Sequence, residues 1–178
     1  MNFTYRVPTP ADAEPLAAFY THNRDHMRTG SPSRADSFYT IAGQEAAITQ
    51  ANAHREASLG FFWIIEGNGQ ILGLLHLNSV VYGAFRSASL AYTVDHRHTG
   101  QGVATSAVRW AINFAFTTLR LHRLQGEALV SNHASQAVLS KCGFTQYGRA
   151  PKYLCIDGTW QDHVLYQLIN PAPAGAAS

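Results

Sequence analysis

The chain has 178 residues, 46% of them hydrophobic and 13% charged, and a formal net charge of +2 with its nine histidines counted as neutral. That length suits one domain with a proper buried core, the balance excludes a disordered polyelectrolyte, and so mild a charge excludes nucleic-acid binding through a general basic field. Cys142 and Cys155 lie in no metal-ligand spacing, which indicates neither a disulfide framework nor a zinc site and fits a reducing interior.

Phe3 to Val7 reads as a first strand, closed by the turn Pro8-Thr9-Pro10. Thr9 is placed to cap a helix that starts at Pro10 and carries Leu16, Phe19 and Tyr20 inward. Arg24 to Asp36, with Gly30, Ser31, Pro32 and Ser33, reads as an exposed loop, and Phe38 to Ser58 as a helix. Strands at 61–66 and 70–77 flank Gly67-Asn68-Gly69, a hairpin signal, and a connection with Gly83 leads to a strand at Leu90 to Val94. Leu121 to Leu129 is the next strand, and Asn132 opens a short helix that stops before Gly143. Two last strands, near 145–156 and 160–169, flank the turn Asp157-Gly158. Residues 1–170 are expected to form a single domain and the Ala/Pro-rich residues 171–178 a disordered tail. The first residues lack the apolar core of a signal peptide and no run approaches ~20 apolar residues, so the expected location is the cytoplasm, with no membrane partner.

The chain is organised around Tyr92 to Thr105, where a strand passes through a basic turn into a helix striped by Val103, Ala107, Ala111 and Ala115. Main-chain N–H groups at such a helix start, with glycines that let a large anion come close, point to a phosphate. A Walker loop is absent, and a dinucleotide fingerprint fails because Thr105 stands at its third glycine.

What remains, Arg97-x-x-Gly100-x-Gly102, resembles the acetyl-CoA pyrophosphate loop of the Gcn5-related N-acetyltransferases (GNAT). One helix and one strand later, Asn132-x-x-Ser135-x-x-Val138, followed by Gly143-Phe144, resembles the second signature of that superfamily. Asn78 to Phe85, Leu90-Ala91-Tyr92 and above all Tyr153 to Leu165 are similar to the RimJ/RimL branch, the ribosomal-protein N-terminal alanine acetyltransferases. This likeness spans Phe61 to Ile169; Ala91 departs from a usual Gly, and Tyr147 from a common Glu.

The resemblance implies an α/β (α+β) GNAT acyl-CoA N-acyltransferase fold, a mixed sheet of about seven strands with splayed central strands, flanked by about four helices. It implies acetyl-CoA as cosubstrate, no metal, and an acceptor that is a protein N-terminus or a small amine. Homodimers are common among such relatives. By the same resemblance Val94 offers a backbone group to the pantetheine arm, and Arg97 with the main chain of His98, Thr99, Gly100, Gln101, Gly102, Val103 and Ala104 holds the pyrophosphate. Asn132 bonds the pantetheine or caps its helix, and Lys141 reaches the adenosine phosphate or is a solvated charge. Ser135 is the expected general acid for the departing thiolate, with Tyr147 or Tyr153 the competing donors.

No general base is evident. A lysine amine is only about 0.04% neutral at pH 7 and an α-amine about a tenth, so an α-amine needs less help. Transfer to the N-terminal α-amine of a protein is therefore expected, with a polyamine, amino acid or aminoglycoside as the alternative acceptor and a non-catalytic CoA sensor a more distant one. His76 is either a proton relay or a structural histidine. Asp162 and His163 point to opposite faces of a strand and so form no dyad.

Overall fold

Phe61 to Ile65 is apolar at every position, so a strand there must be covered on both faces. In the computed structural model, which describes residues 2–171, this is β2 (Phe61–Gly67). Phe61, Trp63 and Ile65 face one core, and Phe62 and Ile64 face a second. The first core is roofed by α4 (Val103–Asn113), whose expected stripe of Val103, Ala107 and Ala111 is fully buried. The second is closed by α1 (Ala13–His22) through Leu16 and Phe19, and by α3 (Ile41–Glu56) through Ile48.

One mixed sheet runs through the molecule. With β1 (Thr4–Arg6), β3 (Gln70–Val81), β4 (Ser87–Val94), β5 (Arg123–Leu129), β6 (Thr145–Ile156) and β7 (Thr159–Ile169), its order is β1-β2-β3-β4-β5-β7-β6. Among the described residues only β4 and β5 pair in parallel, joined by the crossover through α4. Both expected hairpin turns are present, at Asn68-Gly69 and Asp157-Gly158, each pair with positive φ. Seven strands and the mixed sheet match the expected fold.

Among the described residues five α-helices form, in line with the about four expected, the added one being short. Part of the expected loop is α2 (Arg24–Arg28), started by a main-chain bond from Met27 to Asn23 O. The buried Asn23 side chain caps the preceding turn at Phe19 O, so the chain re-enters a helix after only one residue. The next helix begins at Ile41, not Phe38, because Thr40 accepts from Gly43 N–H as N-cap while Asp36–Tyr39 forms a 3-10 turn. Thr9 likewise precedes a 3-10 turn, Pro10–Asp12, and α1 proper starts at Ala13. α5 (His133–Lys141) starts at Asn132, as expected, and ends before Gly143 at φ +89°. The expected tail, apart from Pro171, lies outside the described residues.

Candidate active site

The parallel pair β4 and β5 is hydrogen-bonded only at Ser87, Ala88 and Ser89 against Arg123, Leu124 and Gln125. Beyond Ser89, β4 stays with β3, while β5 from Gly126 to Leu129 follows β7. The two central strands therefore splay. Gly126 sits where they part, and a Cβ there would lie 3.1 Å from Leu139 of α5, so the absent side chain lets α5 pack close behind the gap. Asp95 N donates to Leu72 O across β3, which turns the main-chain groups of Val94, one residue earlier, away from β3 and toward the gap.

A cavity of about 630 Å3 opens at this splay. Leu90 to Thr93 and Gly126 to Leu129 form its floor, with Asn132 and Ser135 at one side and residues of α1, α2 and the β6–β7 hairpin as its walls. Ala91, the departure from a usual glycine, lines it, whereas Tyr147 does not.

The turn after β4 is fixed by Asp95, a residue with no role in the sequence reading. Its carboxylate is fully buried and accepts from Arg97 N, Nε and Nη2, the last at 2.6 Å. The Arg97 hydrogen bonds hold the Asp95 carboxyl far below the usual carboxylate range. Arg97 thus anchors the turn, leaving Nη1 and the exposed edge of its guanidinium for an anion. His98 departs from expectation: its main-chain N–H donates to Asp95 O at 2.8 Å, and its buried Nδ1 has no hydrogen-bond partner among the described residues. The open amides start one residue later. Among the described residues no acceptor pairs with the N–H groups of Thr99, Gly100, Gln101, Gly102, Val103 or Ala104. The side chains of Thr99 and Gln101 turn back onto the carbonyls of His96 and Arg97. Gly100 and Gly102 have φ of +74° and +83° and open space where a Cβ would stand. Alternating left-handed glycines at a helix start make a concavity of amides suited to phosphate.

Asn132 accepts from Ser135 N–H at 3.0 Å as the N-cap of α5, which leaves its side-chain N–H groups to the cavity it lines. The Ser135 hydroxyl is 2.9 Å from the Tyr92 hydroxyl of β4. Burial pushes the Tyr92 phenol up to about 12, so it stays protonated and can give its proton to Ser135 Oγ, freeing the serine O–H to donate onward. Of the other tyrosines considered, Tyr147 is committed to Gln125 Oε1, and Tyr153 lines the cavity with its phenol raised by burial and by the neighbouring Glu127. Lys141 is exposed at the end of α5 and does not line the cavity.

Glu127 supplies the carboxyl that the sequence reading did not find. It lies on β5 in the floor of the cavity, and burial raises its pKa against smaller opposing contributions from its own main chain and from the Ser89 hydroxyl. Alternation along a strand register, known only once β5 is paired with β7, turns it inward. His76 also lines the cavity; burial, aided by the Arg34 charge, lowers it to about 4, and it stacks on Phe62 at 4.4 Å between ring centres. It is therefore neutral. Asp162 and His163 separate as expected, Asp162 to the surface against Arg149 and Lys152 N, and His163 into the buried wall beside Tyr153.

The chain matches the Acetyltransferase (GNAT) domain family over residues 2–145, so the likeness reaches through the first sixty residues, further than the motifs alone extend. It is 34% identical over 162 residues to the probable N-acetyltransferase YjcK of Bacillus subtilis, with 90% of each chain covered. It is 32% identical to the ribosomal protein uS5-alanine N-acetyltransferase of Escherichia coli, over 93% of this chain and 87% of that one. Its structure superposes on Mycobacterium smegmatis RimJ in complex with CoA-disulfide with a TM-score of 0.90, at 27% identity and covering 94% and 81% of the two chains.

Proposed function

Because the chain belongs to the GNAT acetyltransferase family and is an acetyl-CoA-dependent N-acetyltransferase, we propose that its acceptor is the N-terminal α-amine of a protein, foremost a ribosomal one. The charge of the cavity supports this choice. The lining carries three arginines, Arg24, Arg28 and Arg34, against three carboxyls, Asp25, Glu127 and Asp157, with Arg28 and Asp157 already paired, so it offers a polyamine no surplus of negative charge. A peptide N-terminus brings one amine, and the floor presents one carboxyl, Glu127, to receive it. An α-amine is about a tenth neutral at pH 7, so a carboxylate with a raised pKa, or water held by it, removes its proton without a stronger base.

The amides from Thr99 to Ala104, with the free edge of Arg97, bind the pyrophosphate of CoA, and Val94 bonds its pantetheine arm in the splay. Asn132 steadies the same arm from its unpaired N–H groups, and Lys141 supplies charge near the adenosine end. Acetyl-CoA, when bound, supplies an acetyl thioester to the gap between β4 and β5. Ser135, backed by Tyr92, donates a proton where the thiolate leaves, and the N-terminus of α5 favours the negative charge that develops there. Residues 1–170 act as a single catalytic domain in the cytoplasm, where ribosomal acceptors are made.

The uS5-alanine N-acetyltransferase that the chain resembles makes Ala-initiated peptides the first acceptors to try. Full-length protein incubated with acetyl-CoA, a panel of N-terminal peptides, spermidine and free amino acids, and read by mass spectrometry, is expected to give α-N-acetyl peptides. Acetylation of spermidine or amino acids with no peptide modified would reject the protein acceptor.

A further inference from the structure

Where the α1–α2 segment reaches the start of the amide turn, three imidazoles lie near one another that the transfer reaction does not use. The rings of His22 and His96 stack at 4.8 Å between centroids, and that of His26, one helical turn beyond His22, lies 6.1 Å from His96. We propose that His22, His26 and His96 form a site for a borderline divalent transition-metal ion such as Zn2+, bridging the α1–α2 segment to the turn that begins the cofactor loop.

The preparation of His96 carries the proposal. Asn23 is fully buried, and its Nδ2 donates to Phe19 O at 2.9 Å while its Oδ1 accepts from the main-chain N–H of His96 at 2.9 Å. Those two bonds fix which end of the amide is oxygen. The same Oδ1 lies 3.0 Å from His96 Nδ1, so Nδ1 carries a proton, and in the neutral ring the lone pair is then on Nε2. A ring N–H held by a buried carbonyl, with the other nitrogen left basic, is how proteins orient a metal-binding histidine. The surrounding charge agrees: Asp95 Oδ1 is 3.7 Å from His96 Nδ1, and donor atoms of His22, Asp95 and His96 all lie within 4.8 Å of one another. Since Arg97 already holds the Asp95 carboxylate, Asp95 serves as a negative neighbour, and His26, whose ring centre lies 6.1 Å from that of His96, supplies the third ligand once its side chain turns toward the other two.

Neutral imidazoles suit zinc, copper and nickel, and zinc–nitrogen bonds of about 2.0–2.1 Å require the rings to turn their nitrogens toward a common point. His22 and His26 are exposed, whereas His96 is held by Asn23. The ion would couple two parts of the site, because Tyr20, Arg24 and Arg28 of the same helical segment line the acceptor cavity and His96 opens the turn shaped by Asp95.

The test uses tag-free, metal-free full-length protein titrated with ZnCl2 by calorimetry and with CoCl2 by visible absorption. One equivalent is expected to bind with a dissociation constant below about 10 μM. The double variant His22→Ala/His26→Ala, at exposed positions, and the variant His96→Gln are each expected to weaken binding at least tenfold. Zinc should raise the melting temperature of the parent but not of either variant. Absence of saturable binding, or one-equivalent binding of unchanged affinity in both variants, would overturn the assignment. Neither readout depends on which amine is acetylated.

Discussion

The hydroxyls of Tyr92 and Ser135 lie 2.9 Å apart, one from the middle of the sheet and one from the first turn of α5, and they meet at the edge of the cavity. Because burial keeps Tyr92 protonated, the tyrosine can donate to Ser135 and orient it for the general-acid role proposed above. Ser135→Ala is expected to lower kcat by about a hundredfold, the lower end of general-acid contributions, with little change in KM for acetyl-CoA. Tyr92→Phe should have the smaller effect, and the double variant should fall no further than Ser135→Ala, a non-additivity measured by steady-state kinetics on all four proteins. Equal and additive losses would make the two hydroxyls independent.

Glu127 gives a pH signature. Burial raises its pKa, which favours the protonated form, and a general base must be ionised. Activity should therefore begin to fall at a higher pH than an ordinary carboxylate would allow as the solution is acidified. Glu127→Gln should lower kcat by about a hundredfold and remove that acid limb from the profile of kcat/KM against pH, while the circular dichroism spectrum is unchanged. A variant that keeps both the rate and the limb would remove Glu127 from the chemistry.

The amide turn and the helix after it were legible in the sequence because the relevant order is local. Glycines at 100 and 102, Arg97, and the stripe from Val103 all lie within a few turns of one another. Asn132 as N-cap of α5 was legible for the same reason. Glu127 was not, since the face a strand residue presents depends on its partner, here β7, far along the chain. The Tyr92–Ser135 contact was hidden likewise, being made between residues 43 apart. Asp95 was hidden by its type: a carboxylate in a polar turn gives no outward sign that it is fully buried and holds the turn together. The short α2 was masked by the turn-forming residues that follow it.

Acid should act on the turn as well as on the chemistry. Arg97 holds Asp95 below the usual carboxylate range, and Arg6 holds Asp12 down at about 2. A depressed folded-state pKa contributes stability that is present above the unfolded value, near 3.9, and is lost as pH falls through the folded one. The melting temperature should therefore drop steeply below about pH 4. In Asp95→Asn, which keeps an acceptor but no charge, that drop should be shallower and CoA affinity about tenfold weaker. An unchanged acid profile in this variant would show that Asp95 does not organise the loop.

The open amides between Thr99 and Ala104 are tested most directly by calorimetric titration of CoA into the parent protein, Gly102→Ala and Gly102→Glu. Both substitutions bear the same strain at φ +83°, and only glutamate puts bulk and negative charge into the open space beside those amides. With melting temperatures of the two variants matched, the expected result is saturable binding by the parent, modestly weakened binding by Gly102→Ala, and none detectable by Gly102→Glu. Equal CoA affinity in Gly102→Glu and Gly102→Ala would contradict pyrophosphate binding at this turn.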